Sequence, residues 1–409
     1  MRQIPEVNLV ALDLPASPAF EISPSDFMAK IWHPARQAIR ERGLGDHILA
    51  WVYSVDFPLR ITTTPALSIQ GLTFLKGRLP DPVEVEKGTY GSPIFAGPDS
   101  PRIAGFPAQS LDVQQAWLGP DMPVASMMLG YMGHNGNTRE EILACLRAGV
   151  ASDRTRPEGT VLILTNGDIR TQCRSWEFEP ALRELKALEI TALMSPSPPT
   201  GPDGPVPLIG VMAGAADLPE IARGQFHFRP GAIAEHLTSF GAAFDNNGQT
   251  KISEWIRAGA TASAGTVTEP YSAWPKFPHA RVFSFQVAGC TTLESLIQSI
   301  RSPLQILLIG EPLANPWAPR STVTLTGLKT GTLEKATHLT AEITPHPGEM
   351  FNRFMFLLDG KTLQPPGSSP TLTLDPAAMK SGPHTLRVIA YKVGSVRSQI
   401  FAETPFEVK

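Results

Sequence analysis

The segment that decides the fold runs from residue 229 to 319. It contains Pro230-Gly-Ala-Ile-Ala-Glu-His-Leu-Thr-Ser-Phe-Gly241, Trp255-Ile-Arg-Ala-Gly-Ala-Thr-Ala-Ser-Ala-Gly-Thr-Val-Thr-Glu-Pro-Tyr271 and Leu308-Ile-Gly-Glu-Pro-Leu313. Composition predicts a short helix over 231–237. Residues 250–257 read as a second helix, closed by Gly259, and the small residues of 260–267 as a strand. Thr291-Thr-Leu-Glu294 is a capping box that launches a helix to residue 300, and Leu304-Gln-Ile-Leu-Leu-Ile309 is a buried strand.

The same alternation extends upstream. Residues 7–14 are a β-like run. Ser23-Pro-Ser-Asp26 supplies an N-cap, a proline at the first helical position and an acid in the first turn, so a helix is expected from 24 to 42, ending at Gly43. Its apolar positions Phe27, Ile31, Ala35, Ala38 and Ile39 form one stripe, and 47–55 is a short apolar run. Thr138-Arg-Glu-Glu141 is another capping box, opening a helix to 148, and Thr160-Val-Leu-Ile-Leu-Thr165 is a continuous apolar strand of the buried, parallel kind. A helix over 179–188 and strands over 190–194 and 207–213 complete the pattern. Proline and glycine concentrate in 79–107 and 195–207, which read as long connections. The expectation is an α/β domain with a mostly parallel sheet and helices on both faces.

From Arg320 the texture changes to period-two alternation over 321–325, 339–343, 353–358, 371–374 and 384–390, with turn signals at Asp359-Gly360 and Ser381-Gly-Pro383. Residues 320–409 therefore read as an antiparallel all-β sandwich. Two domains also suit a chain of 409 residues with 42% hydrophobic content, because single cores stop growing near about 250–300 residues.

The 35 basic and 38 acidic residues are interspersed, for a net charge of −3, which argues against a nucleic-acid groove or an anionic-membrane patch. The three cysteines are widely spaced, so neither a zinc ribbon nor a disulfide framework is expected. No apolar run approaches the roughly 20 residues of a membrane span. Nothing in the pattern calls for a metal or a cofactor.

The quoted blocks, with the opening Arg2-Gln-Ile-Pro-Glu-Val-Asn8 and Pro58-Leu-Arg60, resemble a bacterial family distantly similar to gingipains. The resemblance covers nearly all of 1–319. It implies a caspase/gingipain-like sheet in 1–319, followed by an immunoglobulin-like domain in 320–409. In gingipain-like proteases a His-Gly ends one central strand and a Cys ends the next. Here Ala213-Gly214 stands at the first place and Ser239 is the nearest candidate at the second. A thiolate is made available at neutral pH by its imidazole partner, and a serine hydroxyl needs a placed base. The resemblance thus implies the fold without its peptidase dyad. It also implies that the sequence begins inside the family's opening motif, with the first strand absent, and that the full-length form is exported to the cell surface or another extracytoplasmic space.

Ligands in open α/β sheets sit outside the carboxyl ends of the strands, where Gly214, Ala215, Ser239, Phe240, Glu269 and Tyr271 are expected. Gly214, Ser239, Glu269 and Tyr271 are the candidate binding set; the plainer reading of Glu269 is a helix cap or an arginine partner. Four residues are candidates for residual catalysis. Ser239 could be a nucleophile, and His236 or His227 its base, though each is more simply a core or surface histidine. Cys290 precedes a helix N-terminus, where a thiol pKa falls, but is more simply a packing residue. Asp245-Asn-Asn-Gly248 has a faint calcium-loop look and reads better as a turn. Gly133-His-Asn-Gly136 resembles a His-Gly turn in composition only. The leading expectation is a non-peptidase binding an unidentified ligand or protein partner. The rivals are a hydrolase using Ser239 or Cys290 with a recruited histidine, and a structural surface protein acting through its sandwich.

Overall fold

Runs of four to eleven residues, most of them buried, build the central sheet. The computed structural model describes residues 2–15, 19–45, 47–97, 107–202, 204–328 and 331–409. It divides into two units, one comprising Leu12–Arg36 and Leu49–Trp317, the other Arg2–Ala11, Gln37–Ile48 and Ala318–Lys409.

The first unit is built on eight strands: β1 (Ala50–Tyr53), β2 (Ala125–Met128), β3 (Thr160–Leu164), β4 (Thr191–Ser195), β5 (Pro207–Gly214), β6 (His227–Leu237), β7 (Ala262–Thr266) and β8 (Ile306–Gly310). Their spatial order is β1-β2-β8-β7-β6-β5-β3-β4. Strands β3 to β7 are mutually parallel, with Ala213 opposite His236 and Ala234 opposite Ser263. β8 runs antiparallel to β7, and β2 and β1 follow the direction of β8.

Alternation along the strands separates two faces. Val161, Ile163, Met212 and Ile233 pack with Phe283 of helix Val282–Val287 and with Phe178 and Leu185 of helix Phe178–Ala187. Leu162, Leu164, Val211, Ala213 and Ala234 pack on the other side with Trp255 of helix Ile252–Arg257. The small residues of β7 are required by a close crossing: a Cβ on Gly265 would meet the backbone of Gly241 and Ala242 at 2.9 and 3.0 Å.

The second unit holds two β-sheets. One has the antiparallel order Thr322–Thr326, Thr337–Thr344, Thr371–Leu374. The other centres on Arg353–Leu358, Gly382–Tyr391 and Gln399–Val408, also antiparallel. Val323 and Ala341 of the first share one core cluster with Phe356, Val388 and Ile400 of the second. The period-two signal thus marks half-buried strands as expected.

Several expectations are corrected. Residues 231–237 belong to strand β6 and not to a helix. Their composition favours a helix, but every one of them is buried between β5 and β7, where the neighbouring strands satisfy the backbone. The 7–14 run overlaps a short 3-10 helix at Glu6–Asn8 and has no strand among its described residues. The 79–107 connection contains a helix, Pro82–Lys87, capped by Asp81, and its residues 98–106 lie outside the described set. The 195–207 connection carries a two-stranded ladder of Thr200–Gly201 and Gly204–Pro205, and its residue 203 is likewise outside. No helix among the described residues is long and apolar enough to cross a membrane.

Candidate functional site

The carboxyl ends of β3, β5, β6 and β7 lie side by side, and strand order reverses between β3 and β5. In such sheets a ligand crevice opens at that reversal. Here the protein's own groups occupy it. Asp168 caps the turn of helix Ile169–Gln172 by accepting Arg170 N–H. Asn166 Nδ2 and Thr171 Oγ1 then donate to the Gly214 carbonyl at 2.9 and 2.6 Å. A Cβ on Gly214 would stand 2.6 Å from the Arg170 backbone, so no side chain fits there. Ala213, where the resemblance would place a histidine, is buried in the Trp255 cluster, and its carbonyl accepts from Arg174 Nη2.

Ser239, Glu269 and Tyr271 come together beyond the ends of β6 and β7. The Ser239 hydroxyl donates to Glu269 Oε1 at 3.2 Å, and Tyr271 N–H donates to the same oxygen at 2.8 Å. The Ser239 carbonyl is fixed by Thr266 Oγ1 at 2.9 Å, and Gln249 Oε1 accepts from Thr238 Oγ1 and Phe240 N–H. Lys276 is buried nearby, its Nζ donating to the Glu86 carbonyl at 2.7 Å, and burial pulls its pKa down to about 8.

His236 does not join this group. It lies in a strand, three residues before Ser239, and its Nε2 pairs with the Ala215 carbonyl at 2.9 Å. That contact puts the ring proton on Nε2, leaving Nδ1 without a partner among the described residues. Burial holds the ring neutral, with its pKa lowered to about 3. His227 is exposed at the other end of β6. Cys290 is fully buried; its thiol faces the Gln109 carbonyl at 3.8 Å, and burial pushes its pKa well up. Burial keeps the thiol in its neutral form, which suits the plainer reading of Cys290 as a packing residue. The two loop motifs contact each other: His134 Nε2 and Asn247 Oδ1 are 2.6 Å apart, and Asn135 Nδ2 donates to the Phe244 carbonyl at 2.9 Å. Among the described residues no three His, Cys, Asp or Glu side chains gather as a metal site.

Sequence reasoning missed the ionic layer beneath these strand ends. Arg174 and Glu235 are fully buried, with Nη1 2.7 Å from Oε2, and Glu235 Oε1 has no hydrogen-bond partner among the described residues. Glu177 Oε2 accepts Ala280 N–H at 2.7 Å and lies 3.1 Å from His279 Nε2. One signal was readable: a carboxylate inside the apolar run Ala232-Ile-Ala-Glu-His-Leu237 needs a partner. Burial raises Glu235 to about 7 and Glu177 to about 8.

These shifts set a pH dependence. Folded Glu177 keeps its proton from about pH 4.5 to 8, where the unfolded chain has released it, so its contribution to stability falls as pH rises through that window, opposed below about 6.5 by buried His236 and His279, which the fold holds neutral. Glu177→Gln is expected to flatten the fall above about pH 6.5, with Glu235 retaining the part below about 7. Denaturant midpoints across the window measure it; equal slopes in the two proteins would contradict the assignment.

No family model matches the chain, and no curated protein matches it. Among solved structures it is similar to the fibronectin(III)-like modules of Clostridium thermocellum CbhA, at 23% identity over 28% of this chain and 57% of that chain, with a TM-score of 0.19. It is also similar to the endo-beta-1,4-mannanase from Thermotoga petrophila, at 9% identity over 61% of this chain and 47% of that chain, with a TM-score of 0.19. The chain spans about half the length of the solved structures it matches.

Proposed function

We propose that residues 1–319 are a caspase/gingipain-like α/β domain without the Cys-His dyad, followed in 320–409 by an immunoglobulin-like sandwich. In this reading the protein is exported and binds a ligand or partner at the ends of β6 and β7 without hydrolysing peptides. The single observation that carries the reading is the state of the β5 end. Ala213 faces the Trp255 cluster, and the Gly214 carbonyl is closed over by Asn166 and Thr171, leaving no room for a general base. Ser239 then has a carboxylate, and no imidazole among the described residues, as its hydrogen-bond partner.

That carboxylate also motivates the second reading, a hydrolase in which Glu269 activates Ser239. A fluorophosphonate probe applied to the full chain separates the two. The expected result is no adduct on Ser239, with iodoacetamide also leaving Cys290 unmodified in the folded protein. A fluorophosphonate adduct that Ser239→Ala abolishes would replace the binding reading with the hydrolase.

A further inference from the structure

Aromatic side chains of the loop leaving β7 meet those of the 3-10 helix Ser175–Glu177. Trp274 meets Trp176 edge to face, ring centroids 5.2 Å apart, and Trp176 stays 45% exposed. Tyr271 is 60% exposed and holds a left-handed backbone, φ +57, that a non-glycine residue keeps only under restraint. Glu269 is the restraint, through its bond to Tyr271 N–H. Both indoles rest on buried His279, 5.6 Å from Trp176 and 6.4 Å from Trp274, so the pair has a fixed support.

Charge narrows what such a surface can take. Buried Lys276 lies 5.9 Å from the Tyr271 ring and opposes a second cation there. Glu269 opposes an anion. The surface therefore suits a neutral molecule with apolar faces and hydroxyl edges. Indole and phenol rings supply stacking area, while a carboxylate that accepts and a phenol that both donates and accepts match hydroxyl groups.

We propose that Trp176, Trp274, Tyr271 and Glu269 form a binding platform for a neutral saccharide chain, its rings stacking on the aromatic faces and its hydroxyls bonding to Glu269 and Tyr271. This rests on the strand-end ligand site argued above and names its ligand class.

The test titrates the full chain with β-1,4-linked hexasaccharides of glucose, mannose, xylose and N-acetylglucosamine, and with a trimethyllysine peptide, by calorimetry. At least one hexasaccharide binds saturably. Trp176→Ala and Trp274→Ala each weaken it about tenfold, as losing one stacked ring implies. Trp176→Phe, which keeps a ring, retains most of the affinity. Trp117→Ala, removing an indole 74% exposed on helix Leu111–Leu118, leaves it unchanged. The platform is overturned if no hexasaccharide binds at millimolar concentration, if binding survives both alanine variants, or if the trimethyllysine peptide binds more tightly. Peptide turnover abolished by Ser239→Ala, assayed on the same preparations, would instead strike the non-peptidase reading on which the platform rests.

Discussion

Arg174→Met is expected to destabilise the α/β unit by about 3–5 kcal/mol above neutral pH, the range found when one partner of a buried ion pair is removed. Arg174 is the cation nearest Glu235, and Glu235 is fully buried. Methionine fills much of the volume but leaves a carboxylate in the interior. The loss is smaller near pH 5, because burial already raises Glu235 to about 7 and the carboxyl meets the loss of its partner by keeping its proton. Arg174→Met combined with Glu235→Leu recovers most of the stability, since an apolar pair has no charge to desolvate. All seven tryptophans lie in the α/β unit, so their fluorescence reports its unfolding alone. A single variant as stable as the parent at pH 8, or a double variant no better than the single, would contradict the pairing.

Rebuilding the dyad is expected to fail. In the variant Ala213→His, Ser239→Cys, the imidazole enters a cluster already filled by Leu162, Leu164, Val211, Ala234 and Trp255. Overpacking and an unpaired buried ring nitrogen together cost about 2–5 kcal/mol. The ring also enters the core, where burial keeps it neutral, so no thiolate is generated and no peptide is cleaved. A stable double variant with thiol-dependent peptidase activity would show that the β5 end is open after all.

Much of this architecture could be read from local signals. Both capping boxes, Thr138 with Glu141 and Thr291 with Glu294, form their reciprocal hydrogen bonds, and the Ser23 cap accepts Asp26 N–H. The apolar run at 160–164 is the parallel strand its composition implies. The failures have a common cause, which is tertiary context. Ala232-Ile-Ala-Glu-His-Leu237 has helical composition, yet two flanking strands decide its state. β2, Ala125–Met128, has too few residues for any period to show. At the candidate site, Ser239, Glu269 and Tyr271 were legible from their expected positions at strand ends, and their contacts bring them together. Trp176 and Trp274 were not, because nearly a hundred residues of chain separate them and no spacing rule links such a pair.

The central claim is that the strand-end site binds without cleaving. Incubating the full chain with a proteome-derived peptide library and reading new termini by mass spectrometry tests it most directly. The account predicts no termini beyond those formed with heat-denatured protein, for the parent and for Ser239→Ala alike. A sequence-specific set of cleavages present in the parent and absent in Ser239→Ala would contradict it.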